Sequence, residues 1–200
     1  MKENQIQITK KERQLFIFSA CYLFISSIVL SLNNIFNINF EFNFFTELIL
    51  SILRVTTLGI LYLILFKYFK NYGLRLLRVL IIILLISYIY SQISFILNYN
   101  RTIIPSLFDF YLKIFLTIPE IIFVFILLKT HNNNYIGFNS LKKYSVTLII
   151  TLLIFFSFSI MEIYSKDLHL NYTYWKFLVL GIPYIFLIEF GIKLKESKPK

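Results

Sequence analysis

The feature that most constrains this chain is a series of six apolar runs separated by short polar connections. The runs cover residues 14–33, 44–66, 79–98, 107–128, 146–164 and 174–192. An α-helix needs about 20 predominantly apolar residues to cross the hydrocarbon layer of a bilayer, and each run is close to that length. A segment inside lipid must satisfy its own backbone hydrogen bonds, which a helix does. The sequence therefore predicts an all-α integral membrane protein, a single bundle of six transmembrane helices.

The amino-acid composition excludes an ordinary soluble domain. Hydrophobic residues make up 58% and charged residues 15% of the 200 residues, whereas soluble domains are about half apolar and about a quarter charged. So few charges would not cover this much apolar surface in water. Residues 1–200 are therefore interpreted as one membrane domain, with polar tails at residues 1–13 and 193–200.

Positive charge is distributed unevenly between the two sides of the predicted bundle. Fifteen of the 20 lysines and arginines lie in the two tails and in the connections that follow the second and fourth spans. Because Lys and Arg concentrate on the cytoplasmic side, both termini are predicted to be cytoplasmic in a multi-pass protein of the cell (plasma) membrane. This distribution explains the net charge of +10 without a nucleic-acid partner, since these connections are expected to contact anionic lipid head groups.

The fourth run is unusual because it carries ionisable residues within an apolar sequence. Asp109, Lys113 and Glu120 lie within about 40° of one another on an α-helix, and Pro119 directly precedes Glu120. Proline removes one helical hydrogen bond, so a kink is expected beside this carboxyl group. Ionised groups are costly in lipid, and the stripe is therefore expected to face protein or trapped water.

Spans two and three carry polar stripes of their own, which we expect to face the stripe of span four. Helical spacing places Glu47, Ser51 and Arg54 on one face of span two. The stripe of span three consists of Ser87, Ser91, Ser94 and Asn98, with Gln92 beside it. An unpaired ion at mid-membrane is costly, so Arg54 is predicted to pair with Glu120 or Asp109.

Two further expectations concern the ends of the spans. Gly73 is predicted to break the chain between spans two and three. Aromatic residues near the predicted boundaries, among them Tyr68 and Tyr144, are interpreted as anchors at the membrane interface.

Motifs for catalysis and metal binding do not occur in the sequence. The single cysteine, Cys21, excludes an internal disulfide and a multi-cysteine metal site. The two histidines, His131 and His169, fall in connections on opposite sides of the predicted membrane, so they cannot share a metal. Metalloprotease, serine-hydrolase and P-loop patterns are also missing. No catalytic residue, metal or cofactor is therefore assigned.

These observations leave three functional hypotheses open. The first is a non-enzymatic membrane protein that acts by assembly or recognition, as an accessory, immunity or defence-type subunit with a homo-oligomeric or other protein partner. The alternative is a small-solute transporter, or the membrane-embedded substrate-binding subunit of one. The second alternative is an intramembrane lipid-modifying enzyme that uses Glu120 or Asp109. Under the first hypothesis the charged stripe is a structural ion-pair network, and under the second it is a binding site.

Overall fold

The computed structural model describes residues 8–35, 44–97, 107–130, 135–164 and 169–194. The regular elements within these ranges are all α-helices, which confirms the predicted helical class. They are α1 (Lys10–Ile35), α2 (Phe44–Asn71), α3 (Arg75–Leu97), α4 (Leu107–Lys129), α5 (Phe138–Tyr164) and α6 (His169–Lys193). Each predicted span falls almost entirely within one of these helices.

The outer surface of the bundle is apolar along much of its length. Large hydrophobic side chains are exposed on several helices, with Phe18 at 68%, Leu63 at 63% and Leu153 at 63% of their full accessibility. Helices α1, α2, α3 and α5 contain stretches that are long and apolar enough to cross a membrane: Lys10–Val29, Leu48–Asn71, Arg75–Ile93 and Phe138–Phe158. An apolar exterior of this extent would aggregate in water but is suited to lipid. The structure therefore supports a helical membrane protein.

The helices pack in chain order and close into a ring. Within the described ranges each helix packs against the next, and α6 returns to pack against α1. We call the end of the bundle where α1 begins and α6 finishes the terminal end, and the opposite end the far end. The α2–α3 turn and the α4–α5 connection also lie at the terminal end, because neighbouring helices run antiparallel.

Glycines on α6 allow α1 and α6 to approach closely where the ring closes. A Cβ atom added at Gly191 would lie 2.7 Å from Cγ1 of Ile17, and one added at Gly181 would lie 3.1 Å from Cβ of Ser27. Small residues permit such close approach between membrane helices, where packing rather than exclusion of water holds helices together. The two contacts also show that α1 and α6 are antiparallel.

Local signals at the terminal end fix where helices begin and stop. The backbone N–H of Thr9 donates to the Glu12 carboxylate (2.7 Å), and the N–H of Glu12 donates to the Thr9 hydroxyl (3.2 Å). This reciprocal pair is a capping box at the start of α1. The Lys67 ammonium of α2 also pairs with Glu12 at 2.7 Å. Gly73, with a φ of 69°, separates α2 from α3 and confirms the predicted break.

A continuous set of aromatic side chains crosses the terminal end of the bundle, and we call it the aromatic floor. Its members are Phe16, Tyr68, Phe69, Tyr72, Phe123, Tyr135, Phe138 and Phe190. Phe190 is central, because its ring centroid lies 5.4 Å from that of Phe16 and 5.0 Å from that of Tyr68 in edge-to-face contacts. Such contacts add to packing energy and fix ring orientation. The floor links α1, α2, α4, α5 and α6.

Candidate binding cavity

A cavity of about 320 Å³ lies at the centre of the helical ring, and all six helices contribute to its lining. Its polar lining residues are Ser26, Ser27, Arg54, Tyr62, Tyr88, Gln92, Glu120, Tyr144 and Tyr184. The volume falls at the lower end of the range for small-molecule pockets, roughly 300–1,000 Å³. Three of the residues predicted to form a polar membrane core, Arg54, Gln92 and Glu120, are therefore brought to one space.

The two charged residues in the described part of the lining come from helices that α3 separates in the ring. Arg54 projects from α2 and Glu120 from α4, and both side chains are half-buried. Among the residues whose side chains the structure describes, Arg54 forms no ion pair with Glu120 or with any other carboxylate. Of the two predicted partners, Glu120 lines the cavity with Arg54 but does not pair with it, and the side chain of Asp109 lies outside the described part of the structure.

Four tyrosines line the cavity together with the two charged groups. Tyr62 comes from α2, Tyr88 from α3, Tyr144 from α5 and Tyr184 from α6. The cavity thus combines a carboxyl group, a guanidinium and phenol groups from four helices. Tyrosine presents an apolar ring and a hydroxyl that both donates and accepts hydrogen bonds, so it suits a site that is neither fully polar nor fully apolar.

Sequence reasoning missed all four of these tyrosines as site residues. The available signal was their helical spacing relative to other lining residues: Arg54, Leu58 and Tyr62 follow one another by four residues, as do Leu84, Tyr88 and Gln92. The chain contains 14 tyrosines and 23 phenylalanines, so an individual aromatic residue carried little information.

The interpretation of Tyr68 and Tyr144 as interface anchors is wrong. Tyr68 is only 2% exposed, and its hydroxyl donates to the carbonyl oxygen of Ile136 at 2.9 Å. Tyr144 lines the central cavity. Tyrosine in lipid needs a partner for its hydroxyl, and in this bundle both a backbone carbonyl and a polar cavity meet that need.

The aromatic floor closes the cavity at the terminal end. Phe123 belongs to both, and the lining residues Leu65 and Leu187 lie one helical turn from Phe69 and Phe190. Phe69 and Phe190 are both fully buried. A solute in the cavity is therefore separated from the terminal face by a packed layer.

The remaining residues predicted for the polar core are not among the described residues that line the cavity. Ser51 is buried and Ser91 is exposed, while Ser87 is partly buried but does not line the cavity. The face that α3 presents to the cavity is instead formed by Leu84, Tyr88 and Gln92. Four further predictions concern side chains that lie outside the described part of the structure, namely those of Glu47, Ser94, Asp109 and Lys113.

The described residues contain no cluster of three or more His, Cys, Asp or Glu side chains that could hold a metal ion. Cys21 is partly buried in α1. His131 lies outside the described residues, as does the side chain of His169. The chemistry of the cavity is therefore that of a guanidinium, a carboxyl group, hydroxyls and an amide.

Comparison with protein-family models, with curated proteins and with solved structures finds no match to this chain.

Proposed function

We propose that this protein has six membrane spans with both termini in the cytoplasm and that it binds a small solute in the central cavity. It acts as a small-solute transporter or as the membrane-embedded substrate-binding subunit of a larger one. The observation that carries this proposal is the central cavity that Arg54 and Glu120 both line without forming an ion pair with each other. Assembly with a partner subunit stays a prediction.

The energetic argument compares the two roles a buried charge can have. Ionised groups in a membrane protein are costly unless they meet an opposite charge, a polar ligand or water. A structural ion-pair network requires its charged groups to be in contact. If an ion pair is not formed, each buried charge loses its hydration without gaining a partner. Arg54 and Glu120 line the cavity without forming an ion pair with each other, which favours a site that receives a polar solute.

The position of the aromatic floor supports access from the far end. Arg54 lies ten residues from the first residue of α2, at a depth of about 15 Å from the far end. The buried floor separates the cavity from the terminal face. With the termini in the cytoplasm, the cavity therefore receives its solute from the outer side.

Charge at the terminal end supports the proposed orientation. Of the lysines and arginines whose side chains the structure describes, all except Arg54 lie at this end. They are Lys10, Lys11, Arg13, Lys67, Lys70, Arg75, Arg78, Lys129, Lys142, Lys143 and Lys193. Cytoplasmic ends of membrane helices carry such an excess, and it matches the anionic lipids of the cytoplasmic leaflet.

Native mass spectrometry of the protein tests the proposal. We expect protein released from lipid nanodiscs, before or after incubation with a metabolite extract of the expressing cells, to carry one small molecule that is lost on collisional activation. A cavity that holds a polar solute retains it in the gas phase because charge interactions strengthen when water is removed. Bare protein in both preparations, or protein that carries only membrane lipids, contradicts the proposal.

A further inference from the structure

We infer that the solute is a small zwitterion whose cationic and anionic groups are separated by an apolar segment. This inference rests on the proposed function and specifies its ligand. It follows from how the charged, aromatic and apolar side chains are distributed around the cavity.

The anionic group of the solute belongs with Arg54. The guanidinium offers several N–H donors in a planar arrangement that suits a carboxylate or a phosphate. Gln92 and Tyr88 also line the cavity, and Gln92 lies one turn nearer the far end than Tyr88 on α3. Amide and phenol groups can both donate hydrogen bonds to an anion. Arg54 is the one cationic side chain among the described residues that line the cavity.

The cationic group of the solute belongs with Glu120. Tyr62, Tyr144 and Tyr184 line the same cavity from α2, α5 and α6. A carboxylate in a cavity lined with tyrosines is suited to an organic ammonium group, because both the charge and the aromatic rings attract a cation. Helices on three sides of the cavity thus contribute to this half of the site.

The two halves of the site are displaced along the bundle axis. Glu120 lies thirteen residues from the first residue of α4, at a depth of about 20 Å from the far end, whereas Arg54 on α2 lies at a depth of about 15 Å. Several leucines line the cavity as well: Leu23, Leu58, Leu61, Leu65, Leu84, Leu148, Leu152, Leu180 and Leu187. A solute with both charges on one atom would leave one end of this cavity unfilled, whereas an apolar segment between the charges matches the leucine walls.

Three matched probes separate the contributions of the two charges. They are 6-aminohexanoate, which carries both charges, hexylamine, which carries the cation alone, and hexanoate, which carries the anion alone. Binding is measured by isothermal titration into the protein in lipid nanodiscs, with the signal from empty discs subtracted. We expect 6-aminohexanoate to bind at least about 10-fold more tightly than either single-charge probe, since each charge adds a charge-assisted contact.

Two substitutions assign each charge to its residue. Arg54→Gln is expected to weaken 6-aminohexanoate and hexanoate by about 10-fold or more while hexylamine binding stays unchanged. Glu120→Gln is expected to weaken 6-aminohexanoate and hexylamine but not hexanoate. Glu189→Gln is the matched control, because Glu189 pairs with Lys143 at 3.4 Å and with Lys193, outside the cavity.

The outcomes distinguish this inference from the proposed function. Equal binding of 6-aminohexanoate and one single-charge probe overturns the zwitterion inference, as does a substitution that affects all three probes alike. If none of the probes binds although native mass spectrometry detects a solute, the ligand class is wrong and the proposed function stands. If neither experiment detects binding, both are wrong.

Discussion

Gly137→Ala is expected to destabilise the protein by about 2–5 kcal/mol. Gly137 ends the α4–α5 connection with a φ of 76°, in the left-handed region that costs other residues about 1–2 kcal/mol. An added Cβ would also lie 2.9 Å from Cδ2 of Phe190. Phe190 is held by Phe16 and Tyr68, so it cannot move aside, and overpacking a site of this kind costs about 1–3 kcal/mol. Thermal unfolding in detergent measures the effect.

Two other glycines separate the backbone contribution from the steric one. Gly73 has a similar φ of 69° but no atom within 4 Å of an added Cβ, so Gly73→Ala carries the backbone cost alone. Gly59 lies inside α2, also with no atom within 4 Å, so Gly59→Ala is expected to be neutral or slightly stabilising. Gly137→Ala is therefore expected to unfold at a lower temperature than Gly73→Ala. Equal unfolding temperatures would contradict the close packing of Phe190 against Gly137.

Leu148→Trp is expected to abolish occupancy of the central cavity, with at least a 10-fold loss in the fraction of protein that carries a solute. Leu148 lies on α5, is 8% exposed and lines the cavity, so an indole at this position takes up space that the solute needs. Native mass spectrometry measures the occupancy, and thermal unfolding of the same sample reports whether the variant is folded.

Ile150→Trp is the matched control for that experiment. Ile150 lies two residues further along α5 and is 50% exposed on the outer surface, where an indole meets lipid instead of the cavity. This variant is expected to keep the occupancy of the unmodified protein. A folded Leu148→Trp variant with full occupancy would place the solute somewhere other than the central cavity.

The helices were predictable because the length of an apolar run is a local property of the sequence. The polar residues Arg54, Glu120 and Gln92 were also predictable as members of a common core, because charged and amide groups are too costly in lipid to face outward. The closure of the ring was not predictable. It depends on glycines of α6, such as Gly191, that meet α1 far away in sequence, and glycine in a membrane helix does not identify its partner.

The prediction that the serines of α3 face the polar core is wrong for Ser91, which is exposed. The error has a physical reason. A serine in a membrane helix can donate its hydroxyl to a carbonyl in the preceding turn of the same helix. Ser157 does so on the exposed surface of α5, where its hydroxyl donates to the carbonyl oxygen of Leu153 at 2.9 Å. Serine positions therefore do not determine which face is turned inward. Gln92 has an amide that is harder to satisfy within its own helix, and it lines the cavity.

The placement of Arg54 and Glu120 is tested most directly by a double-mutant cycle on thermal unfolding, using Arg54→Gln, Glu120→Gln and the double variant. Side chains that line a solute cavity without pairing should show a coupling energy below about 0.5 kcal/mol, so that the two shifts in unfolding temperature are additive. Neither single change should destabilise the solute-free protein strongly. If either change alone costs about 3–5 kcal/mol and the double variant recovers most of that loss, the two residues form a structural ion pair and the binding role is contradicted.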